Sequence, residues 1–250
     1  MYLRMSDSLV IIPTYNEKEN IEQIIRKVFS LNKDFHILIV EDNSPDGTAV
    51  IVRKLMNEFP GQLFMEERQG KQGLGTAYIH GFNWALAREY GYIFEMDADF
   101  SHNPEDLVRL YNVAAKDGAD LVIGSRYITG VNVVNWPIGR VLMSYYASSY
   151  VRLITRMKVR DTTAGFKCYT RKVLESIDFS KIHFTGYAFQ IEMKYTTWKL
   201  GYKIVEIPII FTDRTQGESK MSKGIVKEAV FGVIELRIRG LLKKYKRVIN

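Results

Sequence analysis

An α/β fold, a mostly parallel sheet with helices over both faces, is what this sequence predicts, on three observations. First, short apolar runs at Leu9 to Ile12, Ile37 to Val40, Leu63 to Met65, Tyr92 to Met96 and Leu121 to Ile123 read as strands. Second, the segments between them, Ile21 to Leu31, Thr48 to Phe59, Leu74 to Tyr90 and Pro104 to Asp117, place apolar residues at helical spacing. Repeated β-α order of this kind makes successive strands parallel and covers both sides of the sheet. Asn103 followed by Pro104, Glu105 and Asp106 is a helix start signal. Third, the strands end in polar residues: Pro13-Thr14-Tyr15-Asn16-Glu17, Glu41-Asp42-Asn43, Asp97-Ala98-Asp99 and Gly124-Ser125-Arg126. Ligands of such sheets bind at the carboxyl ends of the strands, so four strand ends are expected to converge on one polar cleft.

Past residue 125 the pattern loosens. Val131 to Met157 is rich in apolar and aromatic residues, Ile204 to Phe211 reads as a strand, and Thr212 to Ser222 as a polar loop. Gly224 to Tyr245 reads as a last helix. With no repeat, low-complexity tract or Gly/Ser linker, a single domain is expected, with its body at 1–223 and an amphipathic C-terminal helix in 224–250.

At 250 residues, 46% hydrophobic and 25% charged, the chain has the composition of a globular domain, which excludes disordered and fibrous classes. Its one cysteine, Cys168, excludes an intramolecular disulfide and suits a reducing compartment. The opening apolar run stops at Pro13 without a long apolar stretch or small-residue cleavage site, so no signal peptide is expected there. No stretch reaches the ~18 to 20 apolar residues of a spanning helix, since Val131 to Ile154 carries Arg140 and Arg152. Membrane contact is therefore expected to be peripheral. Charge is uneven: residues 1–124 sum to −7 and residues 125–250 to +14. A basic half suits nucleic acid, an anionic membrane surface or a phosphorylated substrate, and composition does not choose among them.

The pair Asp97 and Asp99 carries the chemistry. Side chains at i and i+2 of an extended segment project to the same side, and two carboxylates facing one point suit Mg²⁺ or Mn²⁺, which takes further ligands from water and substrate phosphates. Departure of a nucleoside diphosphate leaves charge that a metal and Arg or Lys donors stabilise. Arg126 follows a strand end, and Arg214 and Lys220 flank Gly217 in a loop expected to close over substrate. Tyr15 and Asp42 are placed for the base and ribose. Where a dinucleotide fold would carry G-x-G-x-x-G the chain has Pro13-Thr14-Tyr15-Asn16-Glu17, and no Walker A sequence occurs. Dehydrogenases and P-loop NTPases are set aside.

Taken together, the blocks Val10 to Glu17, Asp42 to Thr48, Met96 to His102, Gly124 to Tyr127, Asp213-Arg214 and Gly217 to Lys220 resemble the inverting glycosyltransferases of family 2 with the GT-A fold. Within it they are similar to the dolichyl-phosphate mannose synthase branch and its bacterial polyprenyl-phosphate relatives. The resemblance implies metal-dependent transfer of a sugar, GDP-mannose being the first choice of donor and UDP-glucose the alternative, to a polyprenyl phosphate. It further implies that Pro13, Tyr15, Glu17, Val40 and Asp42 contact the nucleotide and that Asp97, Asp99 and Ser101 hold the metal, with Ala98 beside them at the substrate. Arg214 and Lys220 would meet the diphosphate, and Arg126, Arg140 and Ser144 the acceptor phosphate. Asp99 and Arg126 are the implied catalytic residues. Glu41 stands where many relatives have Asp, and Ser101 where some have Gln. The Q-x-x-R-W element of processive synthases is absent.

An isoprenoid acceptor requires contact with the cytosolic face of a membrane, for which Val131 to Met157, with Trp136, Tyr145, Tyr146 and Tyr150, and Gly224 to Tyr245 are the candidate segments. Packing of either on the protein's own core is the alternative. Two other classes compete. A nucleic-acid or anionic-surface binder would use the basic half but has no need of acidic strand ends. An inactive GT-A subunit would not retain the metal carboxylates.

Overall fold

The computed structural model describes residues 6–186, 188–213, 224–242 and 245, with side chains for all of these except 224–230 and 242. The first half forms as expected: β1 (Ser8–Thr14), α1 (Ile21–Phe29), β2 (His36–Glu41), α2 (Thr48–Glu58), β3 (Leu63–Glu67), α3 (Leu74–Leu86), β4 (Tyr92–Glu95), α4 (Asp106–Ala115) and β5 (Leu121–Ser125) alternate along the chain. Then follow β6 (Val133–Val134), α5 (Ile138–Thr155), β7 (Lys167–Thr170), α6 (Arg171–Glu175), α7 (Ala188–Lys199), β8 (Ile204–Pro208), β9 (Phe211–Thr212) and α8 (Gly224–Leu242).

Seven strands make one sheet in the order β3-β2-β1-β4-β7-β5-β8. All neighbours are parallel except that β7 runs antiparallel between β4 and β5, pairing Phe94 with Cys168 and Val122 with Cys168 across its two edges. This central strand is absent from the sequence reading. β6 and β9 form a separate parallel pair, so the run Ile204 to Phe211 is two strands. Pro208, opposite Ser125 at the end of the β5 ladder, has no N–H with which to extend it.

Alternation of side chains along each strand divides the core by parity. Leu9, Ile11, Leu38, Val40, Ile93 and Ile123 face one side, where α3, α7 and α8 supply Tyr78, Phe82, Phe189, Val233 and Leu236. Val10, Ile12, Ile37, Ile39, Phe94 and Val122 face the other, against Ile21, Ile24 and Val28 of α1, Val52 of α2 and Leu107 of α4. Burial on both faces explains why the strands read as continuous apolar runs. At Gly81 a Cβ would lie 2.7 Å from Ile11 Cγ2, so α3 reaches β1 only because residue 81 has no side chain. Gly73, with φ of 103° and its missing Cβ position 2.8 Å from the Thr185 carbonyl oxygen, lets the chain before α3 touch the segment before α7. α5 and α8 pack against each other, as do α7 and α8. Among the described residues no helix is long and apolar enough to cross a membrane.

Candidate active site

The ends of β1, β2 and β4 share an unusual backbone. Asn16, Asn43 and Phe100 each have φ of 55–58°, the left-handed region. Asparagine tolerates this, while a residue such as Phe pays roughly 1–2 kcal/mol there. The first two loops are tied together by their own polar groups: Asn16 N–H donates to Ser44 Oγ at 3.0 Å, Glu17 N–H to Thr48 Oγ1 at 3.0 Å and Lys18 N–H to Asp46 at 3.1 Å. Buried Glu41 accepts from Ser44 N–H at 2.9 Å and from the Ser44 hydroxyl, which gives the Glu found at that position a structural task.

Above these ends lie two cavities sharing Leu74, Asp97 and Asp99 as a common wall. The smaller, about 340 Å³, is lined by Pro13, Tyr15, Glu17, Asp42 and Ala98 among others, five of the expected nucleotide and substrate residues. Val40 is not brought to either cavity: its side chain is fully buried in the core, because its parity in β2 turns it to the α3 side of the sheet. Asp42 is gripped by Arg68, whose Nε and Nη2 donate to its two oxygens at 2.6 and 2.7 Å while Nη1 donates to Thr76 Oγ1 at 2.8 Å. Lys71 sits 5.5 Å from the Tyr15 ring centre. Sequence reasoning missed both cations, since neither stands at a strand end in a recognisable motif.

At the junction, Asp99 is buried and Asp97 is 39% exposed. Ser101 N–H donates to Asp99 Oδ1 at 3.0 Å, and the buried Ser101 hydroxyl has no partner. Tyr78 donates to Asp97 Oδ1 at 3.5 Å. His102 Nδ1 lies 3.9 Å from Asp97 Oδ2, and burial lowers its pKa to about 4, so the ring is neutral. Among the described residues no three His, Cys, Asp or Glu side chains group to hold a metal by themselves. The donors present, two carboxylates and a buried unsatisfied hydroxyl, fit a hard cation that completes its shell with water and phosphate oxygens.

The larger cavity, about 440 Å³, has an apolar lining from Trp136, Met143, Tyr150, Val151, Ile209 and Phe211, with Ser101, Arg126, Arg140 and Ser144 among its polar points. Arg126 is buried, and its Nε and Nη2 donate to Asp161 at 2.7 and 2.6 Å, with Nη2 also reaching Thr163 Oγ1 at 2.8 Å. Burial works to raise the Asp161 carboxyl, but the guanidinium overcomes it and holds it below the usual carboxylate range. Arg140, half-buried, stacks 4.1 Å above the Trp136 ring and donates through Nη1 to both oxygens of Asp213 at 2.9 and 3.0 Å. The two arginines are thus held by different nitrogens, Arg126 by Nε and Nη2 and Arg140 by Nη1. Arg214 and Lys220, with most of the expected closing loop, lie outside the described residues.

A nucleotide-sized cleft at the ends of parallel strands, joined through paired carboxylates to a second cavity, defines a glycosyltransferase of the GT-A type. The chain belongs to glycosyl transferase family 2, whose family description matches residues 9–178. It is 46% identical over 243 residues to polyprenol monophosphomannose synthase of Mycolicibacterium smegmatis, covering 97% of this chain and 91% of that protein. It is 45% identical over 225 residues to undecaprenyl-phosphate mannosyltransferase of Micrococcus luteus, covering 90% and 91%. Among solved structures it is similar to glucosyl-3-phosphoglycerate synthase of Mycobacterium tuberculosis in complex with Mn²⁺, UDP and glucosyl-3-phosphoglycerate, with a TM-score of 0.67 at 16% identity over 93% of this chain and 78% of that one. A mannosyltransferase of Pyrobaculum calidifontis in complex with GDP-Man and Mn²⁺ gives a TM-score of 0.58 at 14% identity over 96% and 75%. These two likenesses are of fold.

Proposed function

We propose that the chain moves mannose from GDP-mannose onto the phosphate of a polyprenyl phosphate, with inversion at the anomeric carbon. The observation that carries this reading is the meeting of the two cavities at Asp97 and Asp99: a polar cleft with Tyr15 and Asp42 on one side, an apolar cavity with two arginines on the other. The names of the two bacterial relatives, each covered over most of its length, support mannose as the sugar and a polyprenyl phosphate as the acceptor.

In this reading Tyr15, Asp42 and Glu17 bind the nucleotide, and Arg126, Arg140 and Ser144 orient the acceptor phosphate. Its oxygen attacks the anomeric carbon as the bond to the diphosphate oxygen breaks and GDP leaves. A phosphate monoester, with its second pKa near ~6, is already ionised and needs no base. Consistently, the only carboxylates among the described residues lining the larger cavity are Asp97 and Asp99. Those two, with Ser101, would hold Mg²⁺ or Mn²⁺, whose charge stabilises the leaving diphosphate.

Contact with the cytosolic face of a membrane follows from the acceptor. On α5, Ile138, Leu142, Tyr146 and Leu153 are exposed at helical spacing, and on α8 Phe231, Ile234, Ile238 and Leu241 are too. Two mutually packed helices with apolar residues outward suit the boundary between headgroups and chains, while Val151 and Val233 anchor them to the core. Purified protein should transfer label from GDP-mannose to farnesyl phosphate with Mg²⁺ or Mn²⁺ and not with a chelator. Better transfer from UDP-glucose would overturn the sugar, and no transfer to the phosphate from any sugar nucleotide would overturn the class. Leu153→Glu with Ile238→Glu should reduce sedimentation with anionic vesicles.

A further inference from the structure

Lys194 of α7 is fully buried and forms no ion pair with the described carboxylates. Its Nζ instead donates to three carbonyl oxygens, those of Thr162 at 3.1 Å, Ala164 at 2.6 Å and Gln190 at 3.3 Å. Burying an ammonium this way is costly, so the arrangement calls for a reason.

Two of the three carbonyls belong to the irregular segment 160–165, which precedes β7. Glu206 of β8 takes the N–H groups of Arg160 and Asp161 at 2.7 and 2.8 Å, and Arg126 takes the side chains of Asp161 and Thr163. In a planar trans peptide the C=O of one residue and the N–H of the next point in opposite directions. Drawing the Thr162 and Ala164 carbonyls onto Lys194 therefore turns the Thr163 and Gly165 N–H groups away from it. Neither N–H has an acceptor among the described residues, although both residues line the larger cavity. Thr163 and Gly165 are half-buried. Two backbone donors two residues apart, turned from Lys194 and without a protein partner on a cavity wall beside Arg126, offer a place for an oxygen ligand.

We propose that the Thr163 and Gly165 N–H groups, aimed by Lys194, form with Arg126 an anion-binding pair for an oxygen of the acceptor phosphate. The pair lies in the cavity of Arg126 and Arg140 and not in the cleft of Tyr15 and Asp42, which assigns it to the acceptor and not to the nucleoside diphosphate. A Cβ at Gly165 would stand 4.0 Å from Asp97 Oδ2, so this residue neighbours the carboxylates where the sugar changes partner. Fixed peptide dipoles backed by a desolvated positive charge bind an anion without reorganising. Lys194 is a positioning residue in this scheme, and the inference rests on the acceptor-phosphate reading above.

The test is an NMR titration of ¹⁵N-labelled protein with farnesyl phosphate, with farnesol, and separately with GDP and Mg²⁺. The Thr163 and Gly165 amides should shift with farnesyl phosphate at the midpoint shown by the Arg140 Nε signal, and stay still with farnesol and with GDP. If the Arg126 and Arg140 signals move while the two amides do not, the inference is wrong and the acceptor reading survives. If neither arginine responds, the acceptor reading falls and the inference with it. Amides that respond to GDP alone would reassign them to the leaving group and overturn the proposal. In kinetics, Lys194→Met should raise KM for farnesyl phosphate about 10- to 100-fold with KM for GDP-mannose nearly unchanged, and Lys194→Arg should recover part of the loss. Equal changes in both KM values would reduce Lys194 to a structural lysine; if Lys194→Met does not fold, the wild-type titration decides.

Discussion

The wall of the site facing the nucleotide and the wall facing the acceptor are held by different means. On the nucleotide wall the functional groups follow β1, β2 and β4 directly, and the loops that carry them are fastened by neighbouring short side chains such as Ser44, Asp46 and Thr48. On the acceptor wall the groups come from the end of β5 (Arg126), from α5 (Arg140 and Ser144) and from the irregular segment 160–165, which is held from behind by charged side chains: buried Asp161 against Arg126, buried Lys194 under Thr162 and Ala164, and half-buried Glu206 under Arg160 and Asp161. A strand end positions a residue through the whole sheet, whereas a loop pinned by buried ions depends on each pin. Substitutions behind the acceptor wall should therefore cost stability and acceptor affinity together, and those on the nucleotide wall mainly turnover.

The largest effect should come from the junction of the walls. Asp99→Asn should lower kcat roughly a thousand-fold, about 4 kcal/mol, with an unchanged unfolding midpoint; turnover near wild type in Mg²⁺ or Mn²⁺ would remove the metal assignment. The next largest should be Asp161→Ala, which strands the buried Arg126 charge and should cost about 3–5 kcal/mol in urea unfolding. Asp213→Ala makes the contrast, because this pair, each partner 27% exposed, should contribute at most about 1 kcal/mol. Equal losses in the two variants would erase the distinction between buried and rim arginines.

Smaller than the Asp161 effect, Arg140→Lys should raise KM for farnesyl phosphate about ten-fold, since a point charge cannot replace a planar fork, and leave KM for GDP-mannose unchanged. The smallest effect is a pH dependence. Burial drives the Lys194 ammonium well below the ordinary lysine range; Lys167 and Arg126 push the same way, and Asp161 and Glu95 oppose them. A base keeps its proton below its pKa, so its contribution is present at low pH and disappears as pH climbs through the depressed value. KM for farnesyl phosphate, whose phosphate is by then fully ionised, should rise before pH reaches the ordinary 10.5, while KM for GDP-mannose stays flat. A flat acceptor profile would show that the Lys194 proton does not matter to binding.

The same contrast governs what could be read from the sequence. β1, β2 and β4 are legible because burial on both faces leaves uninterrupted apolar runs, and Asp97 and Asp99 are legible because they interrupt one. β7 is not, since its four residues begin with Lys167, a fully buried lysine paired with Glu95 at 3.0 Å, and a charge reads as surface. α7 has no visible apolar stripe because its sides are nearly all covered: Gln190, Glu192, Lys194 and Thr197 are as buried as Phe189 and Met193. Arg68, Asp161 and Glu206 acquire their tasks through carboxylate, guanidinium and backbone partners 26 to 46 residues away, a relation that local spacing does not encode. Arg126 was legible from its place after a strand end, Arg140 and the acceptor role of both only through family resemblance, and what the structure adds is which nitrogens of each are held by carboxylates.

The antiparallel strand at the centre of the sheet also sets an order of events. When residues 1–125 have left the ribosome, β4 has β1 on one side and nothing on the other, for its second neighbour is β7, more than 70 residues from β4 in the chain. Glu95 waits equally long for Lys167, and Phe94 for Cys168. An edge left open in the middle of a nascent sheet is a pairing hazard, and its closure joins strands distant in sequence, a slow kind of step. The strand that leads to the two carboxylates is thus finished late in synthesis, and truncations before residue 170 should leave an aggregating half-sheet in place of a smaller enzyme.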